Sequence, residues 1–185
     1  MNCKFCGKNG YVDKRKFKYR FIRESDYCIA VLAREPYNRG HTLVILKKHR
    51  CDIADKNLSL LERKDFIENI YYYSKLLKRK IKNEKGRKPG RIYVAILCDG
   101  VKHLHAHLIP RYHPFNEKEK NSYREFFINR DKYEDIKKAI KKQDMGGFWY
   151  MFLREKDYKK SYFWKKNKRQ RNKERKKIIK LLNSG

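Results

Sequence analysis

The sequence is short of acid and has no long apolar run. Against 50 lysines and arginines stand 21 aspartates and glutamates, a formal net charge of +29 over 185 residues. Without a run of about 20 apolar residues, no transmembrane helix is expected. Cys3 and Cys6 sit where a secretory signal would need its hydrophobic segment. A reducing, cytoplasmic setting with thiols available to metal is therefore the expectation. No internal repeat is present, and the C-terminal part shows no Cys/His finger pattern. The excess of base favours phosphate-rich anionic ligands and repels cationic ones, although lysine enrichment alone does not establish nucleic-acid binding. The length suits one domain with additions, large enough to bury a real core.

Histidine is scarce too, with six in the chain, yet three alternate in His103-Leu104-His105-Ala106-His107-Leu108-Ile109-Pro110. Alternation is the period of a half-buried strand. Read so, the imidazoles share one face at roughly 6.5 Å intervals, and Leu104, Ala106 and Leu108 face a core. In a helix, His103 and His107 would stack and His105 would turn away. Pro110 and Arg111-Tyr112 are read as closing the segment. Three histidines on one face point to a metal or a phosphate-handling site.

The rest of the chain reads as short strands around one long helix. Lys16 to Arg23 alternates as a strand, Tyr27 to Ala33 is a more buried one, and Pro36-Tyr37-Asn38-Arg39-Gly40 is a turn before a strand over Leu43 to Leu46. Ser59-x-x-Glu62 is a capping box that opens a helix from Leu60 to Lys82. Ile92 to Cys98 is a strand that leads through Asp99-Gly100 to the histidine row. Ser122 to Phe127 and Asp131 to Lys142 read as helices, and Phe148 to Phe152 as a buried aromatic segment. From Lys159 to Lys180 the chain is basic, with Glu174 its only acid and Tyr162, Phe163 and Trp164 at its head. Bases interleaved with aromatics suit single-stranded nucleic acid, and equally a solvated, partly helical extension. Cys3-Lys4-Phe5-Cys6 has three readings: a zinc half-site, a redox pair, or no role. Gly7 and Gly10 disfavour the helix that a redox pair opens. Cys28, Cys51 and Cys98 read as buried thiols, with Cys51 a substitute ligand near His49.

His103 to Ile109 resembles the histidine-triad (HIT) family of nucleotide hydrolases and transferases, whose mark is His-φ-His-φ-His-φ-φ with φ apolar. Pro36-Tyr37-Asn38-Arg39-Gly40-His41-Thr42-Leu43-Val44 is similar to a second family segment, departing at Leu46, where proline is usual. Ala33 stands where an acid or amide usually holds the ribose. The phosphate-binding connection is compressed to Asp99-Gly100-Val101-Lys102. The resemblance, over Cys3 to Arg111, implies that His105 attacks an α-phosphorus to give a nucleotidyl-histidine that water resolves. It implies that His107 serves the phosphate or the leaving group, favouring hydrolysis over transfer. His41 and Asn38, with Lys102 and Arg111 as substitutes, are the candidate phosphate and substrate contacts; His41 reads equally as a turn residue. The zinc-bearing branch implies a structural Zn2+ held by Cys3, Cys6, His49 and His103, a better home for metal than the triad itself. A homodimer is the family habit.

The expectation is an α+β fold: an antiparallel HIT-like sheet of about five strands with a long helix and a helical basic C-terminal extension. Its parts are a catalytic domain over 1–115, a helical and aromatic extension over 116–158, and a basic tail over 159–185. The expected function is nucleotide hydrolysis at a phosphoramidate, a dinucleoside polyphosphate or an adenylylated acceptor. The alternatives are a nucleic-acid-binding protein on the same scaffold, or aprataxin-like removal of AMP from nucleic-acid ends.

Overall fold

The computed structural model describes residues 3–112 and 166–184. The expected elements over 122–127, 131–142 and 148–152, and the aromatics at 162–164, lie outside the described residues.

Five strands form one antiparallel sheet: β1 Phe21–Glu24, β2 Cys28–Leu32, β3 Thr42–Leu46, β4 Pro89–Ala95 and β5 His105–Tyr112. Their order is β1-β2-β3-β5-β4, so the histidine strand lies inside the sheet, between β3 and β4. β2 and β3 are buried at every position, which suits their unbroken apolar runs. Helix α1, Leu60–Lys80, covers one face. Its start is as the sequence reads: Ser59 Oγ accepts from Glu62 N, and the Glu62 carboxylate accepts from Ser59 N. Phe66, Tyr73, Leu76 and Leu77 pack on Val44, Leu46, Leu104, Ala106 and Leu108. The opposite face carries a smaller cluster of Phe17, Ile29, Val31, Ala33, Leu43 and Ile45.

Three boundaries differ from the sequence reading. Lys14–Phe17 is a 3-10 turn, not the start of a strand, because Asp13 caps it by accepting from Arg15 N; β1 begins only at Phe21. β4 ends at Ala95, three residues short of Cys98, whose φ of 55° breaks an extended run. β5 starts at His105 and passes through Pro110 to Tyr112. Proline is tolerated there because pairing with β3 stops at Thr42–Leu108. The N and O of one strand residue point the same way, and Asn38 Nδ2 donates to the Pro110 carbonyl at 3.0 Å. The missing N–H therefore faces a flank that β3 has already left.

The basic C-terminal stretch contains helix α2, Lys168–Asn183, capped reciprocally by Asn167 and Gln170. It is not the solvated extension that was one reading of the tail. Ile178 and Leu182 are buried in the main core beside α1 and β1. Asn183 Nδ2 donates to the Ile22 carbonyl, and Arg39 meets Glu174 at 2.5 Å. Spacing of Ile178, Leu182 and their neighbours at helical intervals gives this basic helix one apolar stripe. No helix among the described residues is long and apolar enough to cross a membrane.

Candidate active site and metal centre

Antiparallel pairing fixes which side chains share a face. His105 pairs with Ile45 and His107 with Leu43, so both lie on the face away from α1, while Leu104, Ala106 and Leu108 enter the core. His103 precedes β5 but stays beside His105, since the Phe5 ring stands edge-on to both imidazoles. The residues meet, and their hydrogen bonds set their tautomers.

One chain of contacts runs through three imidazoles. The Tyr37 amide donates to His41 Nδ1 at 3.1 Å, which leaves the His41 proton on Nε2. His41 Nε2 then donates to His107 Nδ1 at 3.0 Å, and His107 Nε2 donates to His105 Nε2 at 3.1 Å. The far end agrees, because His105 Nδ1 donates to the His103 carbonyl at 2.6 Å. An amide that only donates and a carbonyl that only accepts thus define every proton between them. The lone pair of His105 Nε2 faces the His107 side of the site. Of the two roles open to His41, contact with the triad is the one its geometry gives.

Burial holds His105 below the usual histidine range, against the raising effect of its bond to the His103 carbonyl. Burial, with His105 as neighbour, pushes His107 down to about 4. The positive field of the chain is not what keeps these rings neutral; desolvation is the leading cause.

Beside the row lies a cluster of Cys3, Cys6, His49 and His103 whose donor atoms are all within 4.8 Å of one another. Cys3 Sγ and Cys6 Sγ lie 3.6 and 3.3 Å from His103 Nδ1, Cys6 Sγ is 3.6 Å from His49 Nδ1, and the two Nδ1 atoms are 3.2 Å apart. Tetrahedral zinc, with Zn–S of about 2.3 Å and Zn–N of about 2.0 Å, puts ligands roughly 3.6 Å (S to N) and 3.3 Å (N to N) apart. The cluster has those edges. His103 Nε2 donates to the Leu46 carbonyl at 2.7 Å, which turns the unprotonated Nδ1 toward the sulfurs. Burial and the adjacent Cys3 push the Cys6 thiol up to about 12, so a thiolate here needs a cation. Cys51 Sγ lies 4.0 Å from His49 Nε2, on the side of that ring away from the cluster.

The other substrate candidates fall in three places. Asn38 is tied to the Pro110 carbonyl and holds the turn against β5. Arg111 lies over the Tyr93 ring and donates to its hydroxyl. Lys102 is exposed in the turn before His103.

Several supporting residues escape a motif search. Leu104 N donates to the Arg50 carbonyl, and Arg50 bonds Glu62 through a buried guanidinium–carboxylate pair at 3.0 and 3.1 Å. The segment after His49 is thereby fastened to the cap of α1. Burial raises Glu62, yet the Ser59 N–H and the Arg50 guanidinium outweigh it and leave the carboxyl below its usual range. Gly40, at φ +87°, sets up His41; a Cβ there would meet Ile81 Cγ2 at 3.0 Å. The Ser-x-x-Glu motif announced the cap but not its second partner.

Known proteins carry the same pattern. Residues 14–114 match the HIT domain family. Over 102 residues the chain is 33% identical to an uncharacterized HIT-like protein of Methanocaldococcus jannaschii, covering 50% of this chain and 69% of that one. Among solved structures it is similar to a Hit-like protein involved in cell-cycle regulation from Bartonella henselae, at 25% identity and a TM-score of 0.45, over 52% of this chain and 70% of the other. A Zn-bound histidine triad family protein from Mycobacterium smegmatis aligns at 23% identity and a TM-score of 0.36, over 54% and 76%. With the matched span covering more than half its length, the chain belongs to the HIT domain family, whose members are nucleotide-binding hydrolases or transferases.

Proposed function

We propose that the protein is a nucleotide hydrolase that works through a nucleotidyl-histidine at His105. The observation that supports this best is the ordered imidazole chain, which leaves His105 Nε2 unprotonated and held in place. A neutral imidazole is a competent nucleophile near neutral pH, and two steps have lower barriers than one. In the first step the Nε2 lone pair forms a bond to the α-phosphorus, and the bond from phosphorus to the leaving group breaks with its electron pair. The ring gains positive charge, which the bond from Nδ1–H to the His103 carbonyl stabilises. His107 Nε2–H, released from His105, hydrogen-bonds a phosphoryl or leaving-group atom. In the second step water attacks phosphorus, Nε2 recovers its lone pair, and the proton released by water completes the leaving group.

The chain of imidazoles orients rather than conducts. His41 Nδ1 accepts from an amide that does not ionise, so no proton can be passed inward from that end. His41, His107 and Asn38 stand closest to the phosphate in this reading, with Arg111 and Lys102 further out. Cys3, Cys6, His49 and His103 would hold zinc. Bound there, the ion supplies structural cross-linking of the N-terminal loop to the strand that carries the nucleophile.

Metal analysis of protein purified without chelator should find about one zinc per chain, with Cys6→Ser losing it; full zinc in a Cys3/Cys6 double variant would remove the assignment. The activity test is a panel of labelled adenylyl compounds, including a phosphoramidate, a dinucleoside polyphosphate and a 5′-adenylylated oligonucleotide. Hydrolysis of at least one is expected, and none by His105→Ala. Loss of turnover across the whole panel in wild-type, zinc-loaded protein would contradict the reading.

A further inference from the structure

The least explained charge in the molecule surrounds Ala33. Arg20 Nη1 donates to the Leu32 carbonyl at 3.2 Å, and Arg175 Nη2 donates to the Arg34 carbonyl at 3.0 Å. Two guanidinium groups from distant parts of the chain thus grip the carbonyls on either side of one alanine. Arg34 adds its own side chain, and Arg171 lies one helical turn from Arg175 on α2. A small cavity opens there, bounded by Ala33, Gly40, His41, Arg171, Glu174 and Arg175. Its only acid is Glu174, already engaged by Arg39 and Lys166. Burial, and the cations Arg175 and Arg34, push Arg20 down to about 10. Clustered like charges at the end of a core strand are a cost that an anion would relieve.

The cavity lies along the path a substrate must take. Ala33 shares the face of His105 and His107, as its place in the Leu43–Ile45 cluster shows. The zinc end of that face is closed by Phe5 against His103 and His105. The open direction runs from His105 over His107 to His41, which borders the cavity. From the level of His105, opposite Ile45, to His41 is four residues of β3, on the order of 13 Å. Reaching arginine side chains shorten that gap to about the span of one nucleotide between its 5′ and 3′ phosphates.

We propose that the arginines around Ala33 form a second phosphate subsite, which takes a phosphate on the ribose 2′ or 3′ oxygen of a nucleotide whose 5′ phosphorus sits at His105. The inference rests on the nucleotide reading above and sharpens its substrate class. The preferred ligand is a nucleoside bisphosphate or the 5′ end of a strand, not a mononucleotide. An alanine at position 33 leaves room for that phosphate and adds no repelling carboxylate, and guanidinium groups bind phosphate in bidentate fashion. α2 supplies Arg171 and Arg175 from outside the matched span of 14–114, so this chain's own C-terminal helix makes the site.

The test is equilibrium binding to the full-length, zinc-loaded protein. The ligands are adenosine 5′-monophosphate, adenosine 5′-diphosphate, adenosine 3′,5′-bisphosphate and the dinucleotide pApA. The bisphosphate should bind about tenfold tighter than either 5′ compound. The diphosphate controls for charge placed on the other side. Equal affinity for pApA and the bisphosphate identifies a small-molecule ligand, and further tightening identifies a strand end; both support the subsite. In Arg34→Gln, and in the Arg34→Gln/Arg175→Gln pair, the ratio of bisphosphate to monophosphate affinity should fall toward one, with Arg34→Lys keeping most of it. Arg34 is exposed, so its variant tests the point even if the Arg175 change fails to fold. Equal wild-type affinity for mono-, di- and bisphosphate overturns the subsite alone. Failure of every adenosine nucleotide to bind overturns the nucleotide reading with it.

Discussion

His103 carries two constraints on one ring: Nε2–H is spent on the Leu46 carbonyl, and Nδ1 is left for the sulfurs and His49. It cannot also be the nucleophile. His107 is held differently, with Nδ1 accepting from His41 and Nε2 donating to His105. Its environment makes a testable statement about pH. Burial puts the folded value at about 4 against 6.5 for the free ring, so between those limits the unfolded chain binds a proton that the folded chain refuses. Stability contributed by the neutral ring is complete above pH 6.5 and is lost progressively as pH falls toward 4. Denaturant titrations from pH 7 to pH 4 should show a falling midpoint in wild type. The fall should be shallower in His107→Gln; identical slopes would place the proton elsewhere. The alternation of His103, His105 and His107 made their shared face legible. The direction of each proton was not legible, because it is set by Tyr37 and Leu46, whose backbone groups leave no mark in a side-chain pattern.

At the scale of elements, α1 and β2 to β3 were plain in the sequence because capping chemistry and apolar runs agree with the packing they meet. β1 was misplaced by several residues because Phe17, Tyr19 and Phe21 alternate, yet Asp13 starts a 3-10 turn that overrides the alternation. β5 was expected to stop at Pro110; a proline is harmless where the neighbouring strand has already ended. Glu62 is the residue through which α1 meets the site. It closes the cap on Ser59 and neutralises buried Arg50, whose carbonyl takes Leu104 N. Removing it leaves a buried guanidinium uncompensated and a helix uncapped. Glu62→Ala should cost roughly 3 kcal/mol or more. The same variant should weaken zinc retention, since His49 precedes Arg50. Chemical denaturation with parallel metal analysis reads both, and a loss under about 1 kcal/mol would show that the pair is not coupled to the fold.

Taken whole, the molecule is a sheet with α1 on one face, a chemical site on the other, and a basic helix fastened across the end of the chain. The tail looked detachable in the sequence because its apolar residues are outnumbered by bases. Ile178 and Leu182, buried to 5% and 1% exposure, are what attach it. Leu182→Ala should destabilise the protein by about 3 kcal/mol, as for other buried leucines. A chain ending before residue 166 should therefore lose stability as well as affinity for polyanions, and the salt dependence of nucleic-acid binding must be compared in point variants. If Leu182→Ala leaves the melting temperature unchanged, α2 does not pack on the core as described.

The central claim is that His105 Nε2 takes the nucleotide. Wild-type, zinc-loaded protein mixed with a hydrolysable adenylyl substrate should be quenched within a turnover, digested and weighed by mass spectrometry. An adenylyl mass should appear on the peptide that contains His105, disappear on longer incubation, and be absent in His105→Ala, which should keep its zinc and its fold. An adduct on any other residue, or turnover by His105→Ala at the wild-type rate, would contradict the mechanism.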